Sequence, residues 1–396
     1  MIRDIPSGES TGQRVAHWRK TRGFTQKGLA GAAHLSASYI SKVEKGFKAP
    51  TPAFVSAVAR ALRVDPTLLY GQPFADAKDD PVQDVIPAIR RAFAFTEFTA
   101  PELGAPPRPV GALDAEARRL RGLQSDGAFS AVGVRLPALL EEAAVRAIET
   151  DRPEAWRVLN MGTGVAISMA RRLGYPDLAQ LGVEKAVQAA RRADDSTLVH
   201  LTTLPLSLLM IARGEWDTAL AMVRRAASAV DQTHPDGRAV YGSLHLRAAI
   251  SAARAGKEGE AWEHHGIATE VAGELVAAQA PDTHLLMVNP ANASIHGCAI
   301  AIDVADYDKA IRLDQEITFP RSLVAERITH HHVDMARAEL WLGRHKQAFK
   351  RILKAEQLAP MMTRYHPTAR ETVMQMERHR YTVPEPLRQL MRRMGM

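Results

Sequence analysis

One cysteine, Cys298, in 396 residues leaves no room for a disulfide framework or a thiolate metal site within one chain. It stands in an apolar helical run, which suits a small buried residue better than a redox sensor. No apolar run reads as long enough to cross a bilayer. The N-terminal MIRDIPSGES has no signal-peptide core, so a soluble, cytoplasmic protein with no membrane partner is expected. There is no Walker-type phosphate loop, no nucleophile elbow, and no catalytic spacing among the scattered Ser, His and Asp residues. The chain is therefore not expected to be an enzyme, and no cofactor is expected. His330, His331 and His332 are consecutive. On a helix such neighbours point about 100° apart and cannot converge on one ion, so no metal is expected. His264 and His265 fail the same test.

Charge is unevenly placed. Residues 1–72 hold eleven Lys/Arg against four Asp/Glu, and the remainder is balanced at forty of each. The whole basic excess thus falls in the first fifth of the chain, which points to a face that docks a polyanion.

That segment carries a dense helical pattern centred on TQKGLAGAAHLSASYISKVEKG, residues 25–46. A first helix from about Gly12 to Thr21 puts Val15 and Trp18 on one face. Thr25 caps a second helix with Leu29 and Ala30 inward, and Ser36 caps a third with Ile40 and Val43 inward. Gly46 stops the third helix. Pro50 and Pro52 open a fourth, with a buried stripe of Phe54, Val55, Val58, Ala59 and Leu62. Asp65 caps a short fifth helix in DPTLLYG. Glu44 reads as the structural partner of a nearby Arg rather than as a base reader.

The pattern R-x-x-R-G-F-T-Q…L-A…S-x-S-Y-I-S-x-x-E-x-G…P, from Arg19 to Pro50, closely resembles the lambda-repressor/Cro-like (XRE-type) helix-turn-helix family. The resemblance covers Gly12 to Gly71 and implies a double-stranded DNA partner. It implies that Gln26 bonds a backbone phosphate, that Ser36 opens a third helix lying in the major groove, and that Ala37, Ser38, Ser41 and Lys42 face base edges. Tyr39, Lys45 and Lys48 would approach phosphate. Lys42 can donate to guanine, and Ala37 can touch a thymine methyl. Ser38 and Ser41 either pair with bases or belong to a solvated face. Two positions depart from the family pattern. His34 stands where Gly is usual, at a cost of about 1 kcal/mol if the backbone there is left-handed. Gly28 inside the second helix costs about 1 kcal/mol relative to Ala.

Residues 73–111 change character. DAKDDPVQD is acidic, APELGAPPRPVG is rich in Pro and Gly, and IPAIRRAFAF between them, residues 86–95, suits a short amphipathic helix. The stretch reads either as a hinge or as an inert spacer between a DNA-binding domain at 10–72 and a second domain at 112–396.

Residues 112–380 show helical periodicity and no convincing strand. A turn pattern with Ala five places on recurs at Gly174–Ala179, Gly214–Ala219, Gly256–Ala261, Ala305–Ala310 and Gly343–Ala348. A weaker unit spans Leu113 to Thr150. Paired helices at this period bury their apolar faces only by stacking on their neighbours. The expected fold is therefore all-α, a five-helix lambda-repressor-like domain followed by a tetratricopeptide-like α-solenoid. The chain as a whole resembles actinobacterial-type regulators that join a Cro-like head to such a body, related in architecture to the Gram-positive peptide-pheromone receptors. NPANASIHGCAIAIDVADYDKA and HHVDMARAELWLGRHKQA…AEQLAP carry that likeness. It implies a homodimer and a signalling peptide or small-molecule ligand on the concave face, as in quorum sensing.

Counting back from the turns at 256, 305 and 343 gives three rows. Nine back are Arg247, His296 and Asp334; ten back are Leu246, Ile295 and Val333; thirteen back are Ser243, Asn292 and His330. With Arg337 they form the candidate ligand set, an apolar row flanked by polar groups. The polar groups either hold a ligand or form an internal ladder between helices. The function expected is a ligand-responsive transcriptional regulator; a DNA-tethered scaffold whose repeats bind a protein is the alternative. Lys42→Ala is expected to relax base preference in a competition binding assay, whereas Lys48→Ala should weaken binding to all sequences and lower the salt slope by about one unit.

Overall fold

The computed structural model describes residues 9–74, 82–83, 85–94, 102–378 and 384–396. Among them every regular element is a helix. The N-terminal segment MIRDIPSG and most of the acidic run 76–84 lie outside the described residues.

The head comprises α1 (Thr11–Thr21), α2 (Gln26–Ala32), α3 (Ala37–Glu44), α4 (Pro52–Leu62) and α5 (Pro66–Tyr70). Each has its own N-cap. Ser10 forms a capping box with Gln13, a start signal two residues before the expected first helix. Thr25, Ser36, Thr51 and Asp65 cap the other four. Val15, Leu29, Ile40, Val43, Phe54, Val58 and Leu62 make one core. His34 adopts the left-handed conformation that the family's glycine would take, at φ 55°.

The body is a row of helix pairs. They are α7 (Val110–Ser125) with α8 (Phe129–Thr150), α9 (Pro153–Leu173) with α10 (Pro176–Arg192), and α11 (Ser196–Leu201) and α12 (Thr203–Arg213) with α13 (Trp216–Ala229). Then come α14 (Gly237–Arg254) with α15 (Glu258–Ala277), α16 (Pro290–Asp303) with α17 (Tyr307–Gln315), and α18 (Ala325–Trp341) with α19 (His345–Leu358). All five turn positions read from the sequence have positive φ: Gly174, Gly214, Gly256, Ala305 and Gly343. Each Ala five places on is fully buried. The turn reverses the chain, and the small side chain lets the next helix close on the last.

The segment between head and body is not simply a tether. α6 (Val85–Ala94) forms, and Val85, Ile86, Ile89 and Phe93 join the same core as α7 to α10. Phe93 lies where a Cβ on Gly182 of α10 would be, at 2.8 Å, so that glycine admits the α6 ring.

The far end of the row returns to the near end. α20 (Pro360–Arg364), α21 (Pro367–Arg378) and α22 (Glu385–Arg393) follow the last pair. Ala359, Met362 and Tyr365 belong to the core formed by α6 to α10, and Ala359 abuts Gly127 between α7 and α8. The solenoid therefore curls until its ends meet.

One sequence expectation is corrected. Ser196–Arg213 does reach the length and hydropathy of a membrane span. Its apolar character has a local use, since it breaks at Thr202 into α11 and α12, which pack against α10, α13 and α14. Cys298 is buried among Ala301, Ile302 and Ala310, and burial pushes its thiol up to about 12, so little of it is thiolate at neutral pH.

Ala305 alone among the five turns holds an L side chain in the left-handed region, at φ 64°. Ala305→Gly should remove about 1 kcal/mol of strain and raise the midpoint of thermal unfolding. A lower midpoint by circular dichroism would contradict this.

Candidate nucleic-acid interface and ligand cavity

The third helix of the head presents its outer face to solvent. Ala37, Ser38, Lys42 and Lys45 are exposed, and Ser41 is half-buried beside them. Ser36 caps the helix through its hydroxyl, which accepts from Tyr39 N at 3.1 Å. Glu44 is held by Arg19 in a two-pronged pair at 2.6 and 2.9 Å. It also accepts from Gln26 Nε2 at 2.8 Å. The start of α2 and the end of α3 are thereby locked together, and the Gln26 amide is pre-oriented. Phe47, which the sequence reading passed over, stands 70% exposed in the turn after α3.

Tyr39 and Lys48 lie elsewhere, at a seam between head and body. The Lys48 ammonium sits 4.7 Å from the Tyr39 ring centre and 4.0 Å from that of Trp341, at the end of α18. Tyr307 stacks on Trp341, their ring centres 5.6 Å apart. Burial, with the charge of Lys42, lowers the Lys48 ammonium from its ordinary value. The seam continues along α4. Ser56 donates to Ala212 O at 2.8 Å, Arg60 donates to Gly214 O at 3.1 Å, and Arg60 lies over Trp216. Gly46 receives the Arg378 side chain where its own Cβ would be.

The curled body forms a half-open cavity of about 1300 Å³. Its wall includes Ser243 and Arg247 of the candidate ligand set. The other candidates lie around it. Leu246 is in the core between α13, α14 and α15. Ile295 is buried. Asn292 is buried, with its amide donating to Met287 O at 2.8 Å, and Met287 lines the cavity. His296 bonds the carbonyl of Asn292 through Nδ1 at 2.8 Å. His330 lies 3.1 Å from Arg172 and 3.2 Å from His366.

Asp334 and Arg337 sit apart from these, towards the head. Arg337 reaches Asp303 at 3.3 Å, and Asp303 also pairs with Arg254 at 2.8 Å. Burial pushes the Asp334 carboxyl up against the pull of Arg337. The charges of Arg254 and Arg337 reach the buried Tyr70 hydroxyl of the head, and that of Arg337 reaches Tyr39. The sequence register thus marks two neighbourhoods, one on the cavity and one under the head. The three consecutive histidines diverge: His331 meets Asp314 at 2.6 Å, and His332 faces Arg351 at 3.4 Å.

The register counted back from only three turns missed most of the wall. Extended to Gly214 and Gly174, the same counts give Leu201, Leu204, Pro205, Met161 and Gly164, which line the cavity, and Val165, which lies in the core. Arg121, Arg171 and Arg327 also line it and fall outside any single register.

An all-α chain with a capped helix-turn-helix head and an exposed, basic third helix is a DNA-binding regulator by construction. Residues 11–69 match the helix-turn-helix domain family. Over 56 residues the chain is 34% identical to the uncharacterized HTH-type transcriptional regulator YazB of Bacillus subtilis (strain 168), covering 14% of this chain and 81% of that protein. Through that head, the chain belongs to the HTH-type transcriptional regulators. Among solved structures it is similar to Bacillus thuringiensis PlcR, crystallised with the peptide PapR7 and DNA. That likeness is 10% identical over 94% of this chain and 98% of that one, with a TM-score of 0.29, a superposition too loose to carry inference.

Two half-buried imidazoles of the body, His296 and His366, should make the fold acid-sensitive. Burial, then arginine charge, pushes His296 and His366 down to about 3 from the ordinary 6.5. The unfolded chain takes these protons near 6.5 and the folded chain only near 3, so between those values acid favours unfolding. The stability they supply is complete above 6.5 and is lost as pH falls below it. The melting temperature should therefore drop steadily from about pH 7 to about pH 5, and His296→Gln should flatten the slope. A pH-independent melting temperature over that range would contradict the assignment.

Proposed function

We propose that this DNA-binding regulator is ligand-responsive. The body, residues 112–396 together with α6, senses a signalling peptide or small hydrophobic molecule in its cavity. The head, residues 10–72, is repositioned in response, within a homodimer that reads paired half-sites. The single observation that carries this reading is the seam. A side chain positioned by family resemblance to meet phosphate, Lys48, is instead held against Trp341, on the same helix that supplies Glu326 and Arg327 to the cavity wall. Any ligand that shifts α18 therefore changes what Lys48 can reach. Ala37, Ser38, Ser41 and Lys42 would read bases, and Gln26, Tyr39, Lys45 and Lys48 phosphates. The buried polar track from Arg254 through Asp303 to Arg337 and the head supports the same coupling.

Trp341→Ala tests it. Freed from the indole, Lys48 becomes available to phosphate, and affinity for all DNA fragments should rise about threefold to tenfold. Fluorescence anisotropy with duplexes selected from the source genome at low ionic strength reads this. Unchanged affinity, or no retained fragment at all, would sink the reading.

A further inference from the structure

One part of the cavity wall gathers several arginines about a single carboxylate. Arg121, Arg171, Arg247 and Arg327 line it, and Arg172 stands directly behind. The carboxylate among them is Glu326, and it is already engaged. It pairs with Arg172 and accepts from Gln124 Nε2 at 3.1 Å. Four of the six other acids on the wall are also engaged. Asp114 pairs with Arg118 at 2.8 Å, Asp195 caps α11, and Asp236 faces His284 at 3.3 Å. Asp282 accepts from the Leu286 and Met287 amides at 2.7 and 2.8 Å. Arg121 has one carbonyl partner, His284 O, at 3.1 Å. Among the described residues, Arg171, Arg247 and Arg327 have no ion pair, and Arg247 Nε is buried with no hydrogen-bond partner.

These guanidinium groups are half-buried, and like charges that share one cavity without counter-ions repel each other. The repulsion is visible in the groups themselves. Burial, then the charges of Arg327 and Arg171, brings Arg247 down to about 9, and burial with Arg172 does the same to Arg171. Arg247 and Arg171 remain charged at neutral pH. Leu201, Leu204 and Leu208 form a half-buried apolar row of α11 and α12 that lines the same space. The row explains why this stretch is apolar enough to resemble a membrane span while only a third of it is buried.

We propose that the cavity binds a ligand with a compact carboxylate, clamped by Arg171, Arg247 and Arg327, and an apolar body laid along Leu201, Leu204 and Leu208. Guanidinium forks match carboxylate oxygens in geometry as well as charge. Both the C-terminus of a short peptide and a free carboxylic acid carry this chemistry. The inference rests on the ligand-sensing reading above, but its test does not involve DNA. A failed operator response therefore leaves it standing.

The experiment is thermal unfolding of the full chain at fixed ionic strength, with four probes: octanoate, N-acetyl-trileucine, the C-terminal amide of that peptide, and inorganic phosphate. The wild type should gain about 2 °C with a carboxylate probe at tenfold over its dissociation constant. It should gain nothing with the amide. The Arg171→Gln, Arg247→Gln double variant should melt above the wild type without ligand, because mutual repulsion is relieved, and should lose the response to carboxylate. A larger gain with the peptide acid assigns a peptide C-terminus, and a larger gain with octanoate assigns a free acid. A response to phosphate alone overturns the proposal, as does an equal response to the amide. A response that persists in the double variant, or no response to either carboxylate, does so as well.

Discussion

The Arg172–Glu326 pair is the interaction on which the rest depends. Arg172 belongs to α9, near the start of the body, and Glu326 to α18, near its end. A stack of helix pairs has no intrinsic reason to close, because each pair contacts only its neighbours. Closure needs something at the meeting point, and here it is a buried carboxylate among guanidinium groups. Burial alone would raise Glu326, but Arg172, Arg327, Arg171 and Arg121 hold it below the usual carboxylate range. Buried pairs of this kind add little net stability; removing one partner, however, strands the other charge. The clasp specifies the curl of the body, and the curl makes a cavity from what would otherwise be an open groove.

Where the ends meet, the head lies against the body. α4 runs along α12, and the turn after α3 reaches the end of α18. Both helices also form cavity wall. The DNA-facing surface and the cavity therefore share their supports, without any long chain of intermediates. Lys48 sits where the two meet, its ammonium over the Trp341 ring.

Much of this was legible in the sequence. The head follows from caps and stops, because Thr25, Ser36, Gly46 and Asp65 act locally on their own backbone. The five turns of the body were equally readable, since a left-handed residue followed by a small buried Ala is a local requirement. Closure was not legible. It is set by Ala359 against Gly127 and by Glu326 against Arg172, pairs far apart in sequence with no periodic signature. For the same reason the row containing Arg247, His296 and Asp334 looked like one continuous surface. In the curled body it divides between the cavity and the underside of the head. The apolar run 196–213 shows the reverse error, in which local composition is plain but its use, as one wall of an internal space, depends on neighbours.

The seam also gives the molecule an internal lamp. Of five tryptophans, Trp216 and Trp341 each lie under a cation from the head, Arg60 and Lys48 respectively. Indole emission is sensitive to such nearby charge. Any lifting of the head is therefore written into the protein's own fluorescence, with no label and no nucleic acid required.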